Sequence, residues 1–466
     1  MSTLEKLKTK YVGDSDFYGK ILKISVPIML QTGITNLVSF LDNIMVGRTG
    51  TEQMSGVAIV NQLIFVFFLC IFGGLAGAGL FTAQYYGSKD HEGIRQTIRY
   101  KLILGALITA VAITIFLSGG EKLISLYLSG NTDAGGDPAA AMAYAKEYLL
   151  IILFSLPAFT LVQVYSNTLR ECSQTVVPMK AGMAAVAVNV TFNYLLIFGK
   201  FGFPEMGVRG AALATVLARY TEFLIVAVWT HRNKELCPYF EGVYSRFSLK
   251  GELVKKFFIT GFPLLVNETL WSSGIAILTQ CYSLRGLSAV AAQNISGTVS
   301  NVFNVVFLAM GDAVAIIIGQ HLGAGDFKRA REEDARIIAF AVFIATIVGI
   351  LIFSLSGVFP RFYNTTDEAK LIACHFLMAQ AVFSPQFAFL HTTYFTLRAG
   401  GNTVITFLFD SFFMWIVSVP LAYFVSRHTD IYVVWIYVIL QMADWIKCII
   451  GHILVKKGGW VKKIVR

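Results

Sequence analysis

Twelve apolar segments, each of about 20 residues, follow one another along the chain and are separated by short polar stretches. A helical segment of this length spans the hydrocarbon core of a bilayer. Only helices and closed barrels satisfy all their backbone hydrogen bonds inside lipid, so the pattern predicts an all-α integral membrane protein with twelve transmembrane helices. The segments are centred near residues 34, 70, 108, 154, 187, 220, 268, 303, 345, 383, 415 and 443.

The balance of residue types supports this interpretation. Of the 466 residues, 56% are hydrophobic and 14% are charged, whereas a soluble domain carries about 25% charged residues. The net charge of +10 comes from basic residues in the short loops, so membrane topology explains it and no nucleic-acid partner is expected. The six cysteines are scattered without CxxC or His-Cys spacing, which argues against a disulfide framework or a metal site. The first twenty residues lack an apolar core, so no cleavable signal peptide is expected.

The chain contains an internal repeat. Two stretches match at an offset of 236 positions and a third at an offset of 228. Since each copy holds six apolar segments, both copies enter the membrane in the same orientation, which predicts parallel repeats about an axis along the membrane normal. The matched stretches are 23–27 with 259–263, 84–90 with 320–326, and 168–176 with 396–404.

The repeat predicts three parts. Residues 1–230 would form an N-lobe of helices 1 to 6, residues 231–256 a cytoplasmic linker, and residues 257–466 a C-lobe of helices 7 to 12. Of the 38 Lys and Arg residues, 27 lie in tails and loops on one predicted side and 9 on the other. The positive-inside rule therefore predicts a multi-pass protein of the cytoplasmic (inner) cell membrane with both termini in the cytoplasm.

Two of the acidic residues within the predicted spans are the main functional candidates. An ionised carboxylate there costs at least about 2.5 kcal/mol, so such residues usually serve an ion or substrate path. Asp42 lies near the end of helix 1, where capping the helix at the interface is the alternative role. Glu268 lies well inside helix 7, where a structural role would require a buried partner. In the repeat, Asp42 corresponds to Leu278 and Glu268 to Thr32, so the lobes should be alike in fold and different in chemistry.

Two helices carry asparagines on one face. Asn189 and Asn193 are four residues apart in helix 5, and both cation coordination and interhelical hydrogen bonding remain open for them. Asn294, Asn301 and Asn304 share a face of helix 8 at spacings of seven and three. A polar stripe on an apolar helix is expected to line a cavity.

Other charged residues in the spans have simpler interpretations. Arg219 and Glu222 are three apart in helix 6 and are expected to pair with each other. Asp444 in helix 12 is expected to pair with Lys447, and Asp410 in helix 11 is a weaker functional candidate.

Eight stretches spread over nearly the whole chain resemble the multidrug and toxic compound extrusion (MATE) family. The resemblance is to a bacterial-type efflux transporter and implies two six-helix lobes around a central cavity, with export by alternating access driven by Na⁺ or H⁺ entry. The stretches are SVPIMLQ (25–31), LDNIMVG (41–47), AQYYGSKD (83–90), TLRECSQTVVP (168–178), NVTFNYLLIFGKFGFPEMGVRGAALAT (189–215), NETLW (267–271), GQHLGAGD (319–326) and TLRAGGNT (396–403).

The resemblance also implies roles for residues of the N-lobe. It makes Asp42 the carboxylate of a cation or proton site, with Asn189 and Asn193 at that site's helix 5 positions and Thr215 at its helix 6 threonine. One branch of the family has Asp where Asn193 stands, so this chain carries one carboxylate there instead of two.

A second branch of the family binds sodium in the C-lobe through a helix 7 Glu and a helix 10 Asp. Glu268 matches the Glu, but Gln386 and Phe387 stand near the position of the Asp. Asp42 and Glu268 are accordingly the two candidate Na⁺ ligands.

The expected partners follow from the same resemblance. A lipophilic, cationic drug or metabolite would compete with the coupling ion at Asp42 or Glu268, and Gln31 with the three helix 8 asparagines would line its cavity. No cofactor other than the coupling ion is expected, and the protein is expected to be a monomer in the lipid bilayer.

Two alternative functions remain at this point. A lipid-linked precursor flippase of the same superfamily would show additional helices and a strongly basic central cavity. A membrane-embedded transferase would need clustered acids such as DDxxD, and the sequence has no such run and no phosphate-loop, nucleotide-binding or zinc-protease pattern. The sequence therefore favours a transporter over an enzyme.

Overall fold

The computed structural model describes residues 10–128, 137–245, 249–363 and 365–465, which form helices and no strand. Within the described residues, every predicted apolar segment lies in one of twelve long helices, so the predicted helical fold is confirmed. The helix α4 consists of two segments that are bent by 48° relative to each other. The helices are α1 Ser15–Gly47, α2 Thr51–Gly87, α3 His91–Leu128, α4 Pro138–Ile152 with Ser155–Glu171, α5 Val176–Phe198, α6 Val208–Arg232, α7 Gly251–Ser283, α8 Leu287–Ala324, α9 Phe327–Leu355, α10 Asp367–Ala399, α11 Thr403–His428 and α12 Val433–Lys457.

Most of these helices can cross a membrane. Among the described residues, ten helices are long and apolar enough to do so, or up to eleven if the two segments of α4 form one span. The helix α7 is not among them, because residues 267–269 and 272–273 are polar and lower its hydropathy. The polar stretch of α7 is also where Glu268 lies.

The helix boundaries reproduce the internal repeat. The helices α1 and α7 are both 33 residues long, and α7 begins and ends 236 positions after α1. Each contains a proline, Pro27 or Pro263, at the equivalent position. Proline removes one helical hydrogen bond and permits bending there. The helices α2 and α8 begin at the same offset of 236.

Two equivalent glycines form a reciprocal backbone contact between the ends of α2 and α8. A Cβ on Gly87 would lie 1.9 Å from the carbonyl oxygen of Gln320, and a Cβ on Gly323 would lie 1.9 Å from the carbonyl oxygen of Gln84. Small residues allow membrane helices to approach this closely. In each copy of the repeat, therefore, the glycine packs against the backbone of the equivalent glutamine in the other copy.

The described residues divide into two compact units. The first, here called the N-unit, comprises Leu30–Thr82 and His91–Phe257; the second, the C-unit, comprises the residues up to Met29, Ala83–Asp90 and those from Phe258 onward. The first turns of α1 contribute buried Ile21, Ile24 and Ile28 to the apolar core of the C-unit. The lobe boundaries at 1–230, 231–256 and 257–466 stay a prediction.

The predicted linker is bound to the N-unit by arginines of α3. Arg99 donates from Nε to the carbonyl of Val243 and from Nη2 to that of Gly242, both at 2.9 Å. Arg95 donates to the carbonyl of Pro238 at 3.1 Å. Hydrogen bonds from a charged donor are stronger than neutral ones, so this part of the linker is held in a defined position.

A cysteine of the linker provides a test of this docking. Cys237 is buried beside Tyr239, whose hydroxyl donates to its Sγ at 3.6 Å, and burial raises the pKa of its thiol and that of Cys172. Because the thiolate is the reactive form, a raised pKa leaves less of it at pH 7.5. In a variant retaining only Cys237, we expect slow maleimide labelling that quickens with rising pH, and roughly tenfold faster labelling after Arg99→Ala.

The readout is the mass shift produced by a polyethylene glycol maleimide, with the detergent-denatured protein as the control for full reactivity. Equal labelling of native and denatured protein would contradict the docked position of the linker.

Candidate functional site

The Asp42 carboxylate lies near the end of α1 and faces two asparagines of α5. Asn193 donates from Nδ2 to Oδ1 of Asp42 at 2.6 Å. With its amide nitrogen turned towards Asp42, Asn189 donates to both carboxylate oxygens, at 2.8 and 3.1 Å. Thr215 of α6 has its hydroxyl 3.4 Å from the Asn189 side-chain amide. The predicted N-lobe residues are thus brought together in one place, here called the Asp42 cluster (Asp42, Asn189, Asn193 and Thr215).

The oxygen atoms of this cluster suit a small cation. Asn193 is 2% exposed, and its Oδ1 is buried without a hydrogen-bond partner among the described residues. Carboxylate, amide and hydroxyl oxygens are the ligands of hard cations, and a carboxylate alternatively takes a proton. Because the cluster has a single carboxylate, it can exchange one positive charge.

The interior arginine of α6 is paired as predicted. Arg219 lies 2.9 Å from the carboxylate of Glu222 and places its guanidinium over the ring of Phe159, 5.4 Å from the centroid. Its charge also interacts with Asp42. Since Glu222 is the ion-pair partner of Arg219, the Asp42 carboxylate remains available to an exchangeable cation.

Sequence reasoning missed a tyrosine beside the Asp42 cluster. Tyr148 of α4 is 5% exposed, interacts electrostatically with Asp42, and donates its hydroxyl to Oδ1 of Asn61 at 3.2 Å. A tyrosine in an apolar segment gives no distinct sequence signal. The available sequence signal was instead Asn61, a polar residue within the apolar helix α2 that accepts the Tyr148 hydrogen bond.

The second predicted acid, Glu268, lies in the C-unit. Its neighbour Asn267 is 2% exposed and donates to Oδ2 of Asp410 at 3.1 Å and to the hydroxyl of Tyr394 at 3.3 Å. Glu268 is half-buried, and among the described residues its carboxylate makes no hydrogen bond. It interacts electrostatically with Arg398 and Asp410. Asp42 and Glu268 therefore belong to separate clusters in separate units.

The positions near the expected helix 10 carboxylate make other contacts. Gln386 donates its amide to the carbonyl of Gln441 at 2.8 Å, and the ring of Phe387 stacks on His391 with centroids 5.8 Å apart. Neither residue adds a carboxylate to Glu268.

The expected ion pair of Asp444 with Lys447 does not form among the described residues, although the two charges interact electrostatically. The Lys447 ammonium lies 3.5 Å from Oδ1 of Asp410 on α11, while Oδ1 of Asp444 is buried without a hydrogen-bond partner among the described residues. The long lysine side chain reaches the neighbouring helix, and aromatic rings of α11 surround its end, so a tertiary partner replaces the local one.

The predicted cavity residues belong to both units: Gln31 lies in the N-unit and the three helix 8 asparagines lie in the C-unit. Gln31 accepts a hydrogen bond from Arg170 at 2.6 Å. Asn294 and Asn301 are exposed, and Asn304 is half-buried beside a cavity of about 120 Å³ within the C-unit. Pockets that hold drug-sized ligands measure about 300 to 1,000 Å³, so this cavity is too small for such a ligand. Its other lining residues include Phe303, Phe307, Gln380, Ser384, Tyr437 and Gln441.

Comparisons with known proteins agree with the repeat. The family model described as MatE matches residues 27–195 and 263–424. The two matched stretches begin at Pro27 and Pro263, which are equivalent positions of the two copies.

Two relatives match this chain over most of their own length. One from Thermotoga maritima, described as a probable multidrug resistance protein NorM, is 24% identical over 452 residues, covering 96% of this chain and 94% of the relative. Another from Bacillus subtilis, described as a probable multidrug resistance protein YoeA, is 24% identical over 422 residues, covering 89% of this chain and 88% of the relative.

A solved structure shares the fold. It is described as the outward-facing conformation of a multidrug resistance MATE family transporter of the MOP superfamily, and it matches with a TM-score of 0.83 at 20% identity, covering 94% of this chain and 96% of that one. Because the family model covers both copies of the repeat and most of the chain, this protein belongs to the MatE family of multidrug and toxic compound extrusion transporters, which are membrane carriers and not enzymes.

Proposed function

We propose that this transporter exports lipophilic, cationic drugs or metabolites in exchange for Na⁺ or H⁺ that binds at the Asp42 cluster. The observation that carries the proposal is a single carboxylate held by two amides within an apolar helix bundle, with a buried amide oxygen left unpartnered beside it. The names of the curated relatives, multidrug resistance proteins, support the substrate class.

The proposed coupling between ion binding and substrate binding follows from the charge of Asp42. With a cation or proton bound, Asp42 is neutral and its burial is inexpensive; without one, it carries a negative charge that favours water or a cationic substrate. An ion shifts the balance between two states only by its differential affinity for them. The helix α1, which carries Asp42, contains Pro27, so bending of this helix is the proposed difference between those states.

Aromatic residues of the N-unit support a cationic substrate. Phe65 is 44% exposed on α2 and is free to contact a ligand, whereas the ring of Phe68 packs on Phe159 with centroids 4.2 Å apart. Aromatic faces attract organic cations. We assign Phe65 to substrate contact and Phe68 to packing.

The proposed setting is the cytoplasmic membrane of the cell. The excess of Lys and Arg in alternate loops supports cytoplasmic termini. We propose that the monomer is the functional unit, that residues 231–256 connect the lobes in the cytoplasm, and that no cofactor other than the coupling ion takes part.

Ethidium efflux from proteoliposomes tests this function, with a sodium gradient and a pH gradient imposed separately. We expect one gradient to drive efflux and Glu268→Gln to retain it, because the coupling carboxylate is Asp42. Protein-free liposomes are the control for leakage. Efflux lost in Glu268→Gln would place coupling in the C-unit, and folded protein that moves no dye under either gradient would contradict drug export.

A further inference from the structure

The end of the Lys447 side chain lies against an unusual segment of α11. Residues Leu408–Phe412 and Met414–Ser418 form π-helical turns, which are wider than α-helical turns and are frequent at functional sites. Phe409 and Phe413 each place a ring centroid 5.6 Å from the Lys447 ammonium, and Oδ1 of Asp410 lies 3.5 Å from it. The Lys447 side chain is only 12% exposed.

The carboxylate in this arrangement is fixed from the other side. Oδ2 of Asp410 accepts a hydrogen bond from Asn267 at 3.1 Å. Ser411 in turn holds Asn267, because the Ser411 hydroxyl donates to the main-chain carbonyl of Asn267 at 2.8 Å. One oxygen of Asp410 is thus used for positioning, and the other faces the cation. A carboxylate combined with two aromatic faces is the chemistry that recognises an ammonium group.

The repeat gives this ammonium no counterpart in the N-unit. The helix α12 begins and ends 225 positions after α6, so Lys447 corresponds to Glu222 and Asp444 to Arg219. In α6 the charges are reversed and pair within one helix. In α12 the cation instead reaches α11, so the arrangement around Lys447 is particular to the C-unit.

We propose that Phe409, Asp410 and Phe413 form an ammonium-binding site that the chain fills with its own Lys447. The tethered cation neutralises Asp410 without an external ion, although Glu268 and Asp444 also interact electrostatically with Asp410. Asp410 accordingly takes no coupling ion, and ion exchange is left to other carboxylates. The site accepts a primary ammonium in preference to Na⁺, because only the ammonium can donate an N–H hydrogen bond to Asp410 while its alkyl chain packs against the two rings.

Chemical rescue of the purified full-length protein tests this site. Lys447→Ala removes three carbons and the ammonium, which is the size of n-propylammonium. We expect Lys447→Ala to lower the Tm by about 5 °C and n-propylammonium chloride to restore at least half of that loss. Equal concentrations of sodium chloride or 1-propanol should restore none of it, and neither should n-propylammonium in the Asp410→Asn, Lys447→Ala variant. Equal rescue by sodium, or rescue that persists without the Asp410 charge, would overturn the proposal.

If the Lys447→Ala protein cannot be purified in a folded state, Lys447→Met replaces it in this test. Methionine keeps the packing but leaves Asp410 uncompensated, so we expect a Tm below wild type that recovers when Asp410→Asn is added. A Lys447→Met protein as stable as wild type would show that the ammonium is not required.

Discussion

Asp42→Asn is expected to stop gradient-driven export and leave the protein folded and inserted in the membrane. Asparagine has the shape of aspartate, and its side-chain oxygen can still accept the hydrogen bond that Asn193 donates at 2.6 Å. It cannot take up or release a positive charge, so the differential ion binding that drives the transport cycle is lost. Ethidium efflux from proteoliposomes should fall to the rate of protein-free liposomes, with an unchanged elution profile in size-exclusion chromatography.

The matched control is Asp430→Asn. Asp430 lies outside the twelve helices, is fully exposed, and approaches Arg285 only at 4.0 Å, so we expect wild-type efflux from this variant. If Asp42→Asn exported dye at the wild-type rate under either gradient, Asp42 would have no part in coupling.

Gly87→Ala is expected to yield little or no folded protein. The added Cβ would lie 1.9 Å from the carbonyl oxygen of Gln320, so the ends of α2 and α8 would have to separate. Overpacking costs about 1 to 3 kcal/mol and occasionally more; because the atom met here is a backbone carbonyl, which cannot rotate away, we expect the upper end of this range at Gly87, a large part of the stability of a typical protein. Fluorescence-detected size-exclusion chromatography of a tagged protein should show loss of the monodisperse peak.

The repeat supplies a replicate for this experiment, and two uncrowded glycines supply the control. Gly323→Ala should have the same effect, because its Cβ would meet the carbonyl of Gln84 at the same distance. Gly119→Ala and Gly297→Ala should be tolerated, since nothing lies within 4 Å of a Cβ at either position. A normal peak for both Gly87→Ala and Gly323→Ala would mean that these helix ends are not tightly packed.

The helices were predictable because they depend on local composition, and the repeat was predictable because equivalent stretches match at a fixed offset. Segment length and apolarity determine which residues can be helical in lipid, and the offset of 236 predicted that α7 would repeat α1. The shared face of Asn189 and Asn193 was predictable for the same reason, since a spacing of four fixes their direction within one helix. That both asparagines face Asp42 was implied by the family resemblance.

Contacts between helices were less predictable. Lys447 has an acid three residues before it, yet it pairs with Asp410 on another helix, since π-helical turns of α11 bring Asp410 and two rings around its ammonium. Neither that pairing nor the hydrogen bond from Arg170 to Gln31 follows from sequence spacing, because each depends on how distant segments pack. Tyr148 was missed for the same reason.

The reversed charges of α6 and α12 have an evolutionary consequence. A chain assembled from two copies of the first half would carry Thr32 in place of Glu268 and a second Arg219–Glu222 pair in place of Asp444 and Lys447. A chain assembled from two second halves would carry Leu278 in place of Asp42. After the ancestral duplication, the copies have kept the same scaffold while each has specialised in a charge arrangement that the other lacks. Exchanging one half for the other would therefore remove one of these charge arrangements from the chain.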